Sequence, residues 1–501
     1  MFYLISGPCK NKIFLNPPPM WQPGQVVTLV ETSKHRLGNE WLLISFATGA
    51  WCFVTDRELD VYEQLHTRSL ISLETQFGGA PSGLHGFLRQ LYICGLLQVC
   101  QDKDTYSANW RAGPDIVPRC FSLTLLLSDR CNLACQYCYL STAHEKTGVK
   151  LSRDVARRAL QYAFHQSAER ILIDFGEIAT SYMLFQELIS DVWRLRRSFP
   201  KKDVSLVIQT NGTTLDSTIA HFLQHNSVAV GISLDGPPNL HDQTRPFLSG
   251  RGSHQQVVTG LREILRRAIP HMVSCTISQA NWDHAQEILD NFRDLGIIHH
   301  TFKPIIRRGL AEATWDKFGI SIEQYCRFAE RVVDYAIASG NLDALDDLFI
   351  KFIFRVLGDV RGWATRCPTG YCGCGEDLLV VNPQGIFYPC PRFTSNGCDM
   401  FNLGNSANAT SRCAMVGLIE ARKVALPDRC QSCDLRYLCH GGCALAAWYE
   451  GGNPRANDPF CDVYRHMYQL IFEKLFPNIR RRAFLNSNKL GDIEIFDQVL
   501  V

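Results

Sequence analysis

The chain has 501 residues, 46% of them hydrophobic and 20% charged, with a formal net charge of +2 at pH 7. That balance suits a globular protein of about three domains, at roughly 150 residues each, and excludes an extensively disordered chain. The small net charge offers neither a basic field for nucleic acid nor an acidic tail, no apolar run approaches a membrane span, and the opening MFYLISGPCKNKIFLNPPP lacks the regions of a signal peptide. Twenty-one cysteines therefore point to a cytoplasmic, reducing setting in which thiols serve metals or pack as apolar residues.

In chain order, WLLISFATGAWCFVTDRELDVYEQL, SLISLETQF and LHGFLRQLYICGLLQV predict a short hairpin followed by three helices within residues 1–110. Residues 101–119 turn polar, with Asp, Gly and Pro, as a linker does. A series of candidate strands then begins with FSLTLLL (121–127) and continues with ILIDF (171–175), VSLVIQ (204–209), VAVGISL (228–234), MVSCTIS (272–278) and IIHHTFK (297–303). Amphipathic stretches lie between them, among them SRDVARRALQYAFHQSAER, with Ser152 or a neighbour as N-cap, and GSHQQVVTGLREILRRA. Continuous apolar strands alternating with helical patterns predict a parallel α/β sheet covered on both faces, over residues 120–310. A helical bridge follows over 311–365, with a Tyr and Phe stripe that reads as core, then a cysteine-rich segment over 366–465 and a helix and polar tail over 466–501. The run Arg480, Arg481, Arg482 reads as a solvated helix end.

The strongest chemical signal is SDRCNLACQYCYL (128–140), which sets Cys131, Cys135 and Cys138 in a C-x3-C-x2-C spacing just after the first of these strands. Three thiolates can hold three irons of a 4Fe-4S cluster and leave the fourth iron for an exchangeable ligand. A zinc site or three unrelated core thiols are the alternatives. The spacing, with Tyr137 before the last cysteine, resembles the signature of the radical S-adenosylmethionine (SAM) enzymes. The resemblance implies that the open iron binds the amino and carboxylate groups of SAM while Tyr137 lies against the adenine. It also implies an open (β/α)6 partial barrel, whose functional groups gather at the C-terminal ends of the strands.

Later strand ends carry residues that resemble that family's cofactor contacts. DFGEIAT matches its Gly-Gly-Glu-Pro motif at Gly176 and Glu177, while Phe175 and Ile178 depart from it. Gln209 and Asn211 stand in QTNG, Ser233 and Asp235 in SLDGP, and Arg245 closes HDQTR. Each of these is an ordinary turn sequence alone. Their order behind one cysteine loop gives them weight.

A second cysteine array fills the C-terminal third. Cys430, Cys433, Cys439 and Cys443 read C-x2-C-x5-C-x3-C, with Cys461 beyond, and RCPTGYCGCGEDLLVVNPQGIFYPC supplies Cys367, Cys372, Cys374 and Cys390 upstream. This array resembles the SPASM domain, an extension carrying two auxiliary 4Fe-4S clusters; a double zinc ribbon is the alternative. Motif position implies Cys367, Cys372, Cys390 and Cys430 for the first cluster, with Cys374 open as an alternative to Cys372. It implies Cys433, Cys439, Cys443 and Cys461 for the second. The remaining cysteines, including Cys9, Cys52, Cys94, Cys275 and Cys326, read as buried apolar residues.

Residues 1–110 resemble the winged-helix chaperone of pyrroloquinoline quinone biosynthesis and the related recognition element of modified peptides. That resemblance implies a leader peptide adding a strand to an exposed edge; the alternative is a domain that only packs on the barrel. The resulting expectation is a peptide-modifying radical SAM enzyme with three 4Fe-4S clusters and SAM, fed by a donor such as flavodoxin or ferredoxin, with no nucleic-acid or membrane partner. Its products would be a carbon–carbon or thioether cross-link, or an oxidation. Sulfatase maturases carry an Asp directly after the cysteine of the YPC sequence, where this chain has Pro391. Asp377, Tyr388 and Arg392 lie near, and no base is assigned. Formylglycine formation and a non-catalytic electron carrier are the other readings.

Overall fold

The computed structural model describes residues 27–45, 51–65, 96–99, 120–139, 148–356, 373–394, 402–405, 426–439, 441–453 and 455–481, with single positions at 73, 84, 87, 88 and 91. The expected linker, the C-terminal tail, Cys367 and Cys372 lie outside the described residues. The chain divides into two compact units, one of 1–117, 350–372 and 421–473, the other of 118–349, 373–420 and 474–501. The cysteine-rich segment, read from sequence as one stretch, is thus shared between them.

In the first unit, β1 (Val27–Leu29) pairs antiparallel with β5 (Leu97–Val99), while β2 (Thr32–Leu37), β3 (Glu40–Ser45) and β4 (Trp51–Thr55) form an antiparallel sheet in that order. The expected hairpin is β3 with β4. The additional strand β2 is joined to β3 by a two-residue turn in which Gly38 takes φ +65°, a conformation that favours glycine. A capping box of Thr55 and Glu58 starts the helix Asp56–Gln64, the first of the three expected; the other two fall largely outside the described residues. Leu43, Cys52, Val54, Val61, Tyr62 and Leu97 share one core. Trp51 ties it to the rest of its unit, donating from Nε1 to Val356 O (2.9 Å) and standing edge-on to Phe472.

The second unit is an α/β sheet of eight strands. β6 (Cys120–Leu125), β7 (Arg170–Phe175), β8 (Asp203–Thr210), β9 (Val228–Ser233), β10 (His271–Ile277) and β11 (His300–Pro304) run parallel in sequence order. Beyond β6, β12 (Leu378–Val381) adds in parallel and β13 (Phe387–Tyr388) antiparallel, two strands not anticipated from sequence. The last parallel strand starts later than its apolar run. Gly296, at φ +75°, caps the helix Ala285–Leu295, and Ile297 N–H returns to Phe292 O (2.9 Å), so Ile297 belongs to the cap.

Side chains of a strand alternate between faces, and the outward set Leu123, Ile173, Phe175, Ile208, Ile232, Val273 and Phe302 is buried. The opposite face begins apolar, with Leu172, Val207 and Met272 packed together, and turns polar toward the C-terminal ends at Thr124, Asp174, Gln209, Ser233 and Thr276. The bridge helix Ile322–Ser339 buries Tyr325, Phe328, Val332 and Val333, confirming its aromatic stripe as core. Cys52 and Cys275 are fully buried, as expected, whereas Cys326 is only partly buried, and Cys9 and Cys94 lie outside the described residues. Among the described residues no helix is long and apolar enough to cross a membrane.

Candidate functional site

The three-cysteine loop leaves the C-terminal end of β6 and is clamped by main-chain hydrogen bonds. Ala134 N–H donates to Pro246 O (2.8 Å), Gln136 N–H to Thr244 O (2.8 Å) and Leu310 N–H to Cys138 O (3.0 Å), while Thr314 Oγ1 donates to Gln136 O (2.7 Å). Burial pushes the Cys135 thiol up to about 12; Arg245 opposes this, and Cys138 and Cys131 add to it. The three sulfurs therefore share one electrostatic neighbourhood, in which bound iron would supply the positive charge that stabilises thiolates.

Tyr137, Asp235 and Arg245 come together as one buried hub. The Tyr137 hydroxyl donates to Asp235 Oδ2, which also accepts from Thr244 Oγ1 (3.0 Å), while Thr276 N–H donates to Oδ1 (2.9 Å) and Arg245 Nη1 donates to the Tyr137 oxygen (3.0 Å). Burial raises the Asp235 carboxyl against the pull of Arg245 and these donors, and Arg245 is held protonated. Asp235 N–H donates to His241 Nδ1 (3.1 Å), leaving Nε2 to meet Ser253 Oγ (3.0 Å). Burial and the Arg245 charge keep that imidazole neutral. Both Asp235 oxygens are engaged within the protein, so Asp235 braces the Tyr137 side of the cysteine loop.

Glu177 is held at the end of β7. Its Oε1 accepts from Ala179 N–H (2.9 Å) and Thr210 Oγ1 (2.9 Å), its Oε2 from Asn211 N–H (2.6 Å), and a carboxylate oxygen can take two donors. Oε2 thus has capacity for one more donor, as the SAM amino group would be. Asn211 Nδ2 donates to Asn132 Oδ1 (2.8 Å) and approaches Cys131 Sγ (3.5 Å), linking the β8 end to the loop. Gly176 packs tightly, since a Cβ there would stand 3.2 Å from Leu126 Cδ2. The departures at Phe175 and Ile178 are absorbed by the outer core, where both are buried and Phe175 meets Phe185 edge-on. Gln209 Nε2 lies 3.4 Å from Ser233 Oγ, in space that exists because residue 231 is glycine: a Cβ there would stand 2.3 Å from Gln209 Oε1.

The second array is grouped differently from the sequence reading. One cavity in the first unit is lined by Cys430, Cys433, Cys439 and Cys461, with Arg465 and Tyr464 beside them, and Cys443 is not among its lining residues. Burial raises the Cys439 thiol to about 12, with Asp458, Cys461 and Cys430 adding to it; Cys461, raised mainly by burial, also feels Cys433. Cys443 instead caps the helix Ala444–Gly451, accepting Ala446 N–H (3.3 Å). Cys430 thus lines this cavity beside Cys433, Cys439 and Cys461, whereas the sequence reading placed Cys443 with them. In the second unit Cys374 Sγ donates to Pro389 O (3.1 Å), and the Cys374 thiol lowers Cys390 to about 7. Of the two candidates in the CGC pair, the structure thus brings Cys374 to Cys390, while Cys372 lies outside the described residues.

No three His, Cys, Asp or Glu side chains among the described residues are spaced to share one metal ion. A cubane cluster has a larger footprint, each thiolate binding its own iron.

Sequence reading missed Asp174, although its signal was available: a carboxylate inside the apolar run ILIDF. Asp174 Oδ2 accepts from Thr124 Oγ1 (3.4 Å), and burial raises the carboxyl to about 7 against Thr124 and Lys303. Asp377, Tyr388 and Arg392 remain without an assigned role; Tyr388 packs with Leu126 and Val380.

Residues 125–292 match the Radical SAM superfamily, so the chain carries a radical SAM domain, which implies a 4Fe-4S cluster and SAM. The chain is similar to the cysteine-type anaerobic sulfatase-maturating enzyme of Clostridium perfringens, 22% identical over 70% of this chain and 97% of that protein. It is also similar to the serine-type enzyme of Bacteroides thetaiotaomicron, 23% identical over 68% and 86% respectively. The solved structure of native anSMEcpe with bound AdoMet and Kp18Cys peptide shares the fold, with a TM-score of 0.59 and 20% identity over 72% of this chain and 100% of that one.

Proposed function

We propose that this radical SAM protein is an enzyme that modifies a side chain of a ribosomally made precursor peptide, by cross-linking or oxidation. The observation that carries the reading is the coexistence of an open three-thiol loop at the end of β6 with a separate four-thiol cavity. The names of its relatives, which mature sulfatases, and the peptide held by the solved neighbour support a peptide substrate. When bound, the cluster and SAM supply a 5'-deoxyadenosyl radical able to take hydrogen from an unactivated carbon.

The chain's own residues hold, orient and shield. Cys131, Cys135 and Cys138 would hold the cluster, Glu177 would receive the SAM amino group, and Asp235 and Arg245 brace Tyr137, the residue that would face the adenine. Gly176, Gln209, Asn211 and Ser233 shape the rim. Cys430, Cys433, Cys439 and Cys461 hold an auxiliary cluster in a SPASM-like segment, and Cys374 and Cys390 belong to a second, for three clusters in all. The leader adds to the edge strand β2 of a winged-helix-like N-terminal module over 1–110. A flavodoxin or ferredoxin supplies electrons in the cytoplasm.

Pro391 favours this reading over formylglycine formation, since a proline after Cys390 cannot accept a proton as the Asp of sulfatase maturases does. The test is the mass of the small peptide encoded beside this gene, after anaerobic co-expression with the intact enzyme and with Cys135→Ala. A loss of two hydrogens seen only with the intact enzyme supports the reading. An unchanged peptide with fully loaded clusters ends it, and absence of 5'-deoxyadenosine would point to an electron carrier.

A further inference from the structure

Asp174 is a polar group in an unusual place. On the inner face of the curled sheet, Leu172 packs with Val207 and Met272, and two residues further along the same strand stands a carboxylate. It is level with Thr124 on β6 and Val207 on β8. Thr124 Oγ1 reaches Oδ2 at 3.4 Å, whereas Oδ1 is buried and accepts no hydrogen bond among the described residues. Buried polar atoms without a partner are uncommon and costly, and they concentrate where function needs them.

The surroundings of Asp174 place it near the radical site. The Lys303 ammonium on β11 favours the ionised carboxylate, pulling its titration down against burial, although β11 stands four strands away in the sheet order, so the curl of the sheet brings the two together. From the cysteine loop, Tyr139 follows Cys138 directly and feels Cys138, Asp174, Cys390 and Arg392. Among the described residues, Lys303 from β11 and Tyr139 from the cysteine loop are thus the titratable groups coupled to Asp174, and β6 contributes the Thr124 hydroxyl. Asp174 lies on the inner face toward the strand ends, coupled to Tyr139 of the loop that would hold the SAM cluster. Neither the cysteine pattern nor the SAM-contact pattern uses it.

We propose that Asp174 anchors the substrate: its Oδ1 accepts a hydrogen bond from an N–H or O–H group of the peptide residue that enters the barrel. The inference rests on the peptide-modifying reading and adds a specificity to it, since a purely aliphatic target without a neighbouring donor would leave Oδ1 unpartnered. The carboxylate is the better acceptor. With burial raising the group to about 7, the carboxylate form dominates only above that pH, so productive binding strengthens as pH rises.

The experiment compares the full-length, anaerobically reconstituted wild-type enzyme with Asp174→Asn, Asp174→Ala and Lys303→Met, using the peptide encoded beside the gene. Iron content verifies folding. Equilibrium peptide binding, KM and kcat are followed from about pH 5.5 to 8.5, a range that brackets the group's ionisation. Wild-type kcat/KM should rise through about pH 7, and the Asn variant should lose that rise. The Ala variant should bind the peptide about tenfold more weakly at the alkaline end, with kcat changed less. Removing the Lys303 charge should move the rise to higher pH. Wild-type affinity and an unaltered pH profile in both Asp174 variants would overturn the anchor alone. A wild-type enzyme that neither binds nor converts the peptide would overturn the peptide reading and the anchor with it.

Discussion

The cysteine loop of the barrel and the four-thiol cavity use the same ligand chemistry in opposite settings. At the loop, the cysteines lie among side-chain donors and acceptors from the loop itself and from the segments after β7, β8 and β9: Tyr137, Asp235 and Arg245 in one network, Glu177, Asn211 and Asn132 in the other. At the cavity, the sulfurs sit in tight turns and helix starts whose bonds are mostly main-chain, such as Cys433 N–H to Cys430 O (3.2 Å) and Cys439 N–H to Leu435 O (2.8 Å), with Arg465 Nη1 donating to Cys433 Sγ (3.5 Å). A site with four protein ligands is closed. A site with three keeps a position for a reactant, and polar groups around that position seat the reactant. On the proposed reading, the difference would put the chemistry at the loop and electron storage or structure at the cavity.

The largest expected effect separates the two sites directly. Cys135→Ala should abolish 5'-deoxyadenosine formation and remove about four irons per chain, while the iron of the four-thiol cavity remains; total iron loss would mean that the sites are not independent. Next, Cys430→Ala and Cys461→Ala should each remove one cluster, and the double variant should lose no more than either single one. A loss of about eight irons in the double variant would restore the sequence grouping, in which those cysteines serve different clusters.

Smaller effects sharpen the contrast between a polar and a thiol-dominated site. Tyr137→Phe takes one donor from Asp235 and the acceptor from Arg245 Nη1, and should weaken SAM binding about tenfold with iron content intact. Tyr468→Phe loses the bonds of the hydroxyl with Leu438 O (2.8 Å) and Arg355, neither of them at the cysteine loop, and should leave SAM binding as it is; calorimetric titration of both variants checks the pair. The smallest effect concerns stability. The folded ionisation of Asp174 lies near 7, above its ordinary value of 3.8, so the folded state holds an extra proton between those values and stability falls as pH rises through that window. Asp174→Asn should therefore melt a few degrees higher than wild type at about pH 8, with the gap closing toward pH 4.

Much of the barrel was legible in the sequence because a buried parallel strand announces itself as an unbroken apolar run, and five of the six runs match their strands within about two residues at either end. The sixth was misjudged at Ile297, where the left-handed cap at Gly296 consumed residues that look like strand. The strands β2 and β13 carried too little pattern, and the apolar run LLVV of β12 is only four residues long. TSKHRL is largely polar and FY is two residues long, so only pairing with a neighbour makes them strands.

The sequence by itself determined the three-cysteine loop, the alternation of strand and helix and the abundance of thiols, because spacing and periodicity are local properties of the chain. Only the tertiary structure decided which thiols meet. Cys443 is three residues from a backbone N–H that its sulfur caps, whereas Cys430 and Cys461, thirty-one positions apart, line one cavity. It likewise decided that Lys303 and Asp174, from strands that do not pair, influence one another. Proximity of that kind depends on how the sheet curls and how the helices turn, and no local pattern in the residues records it.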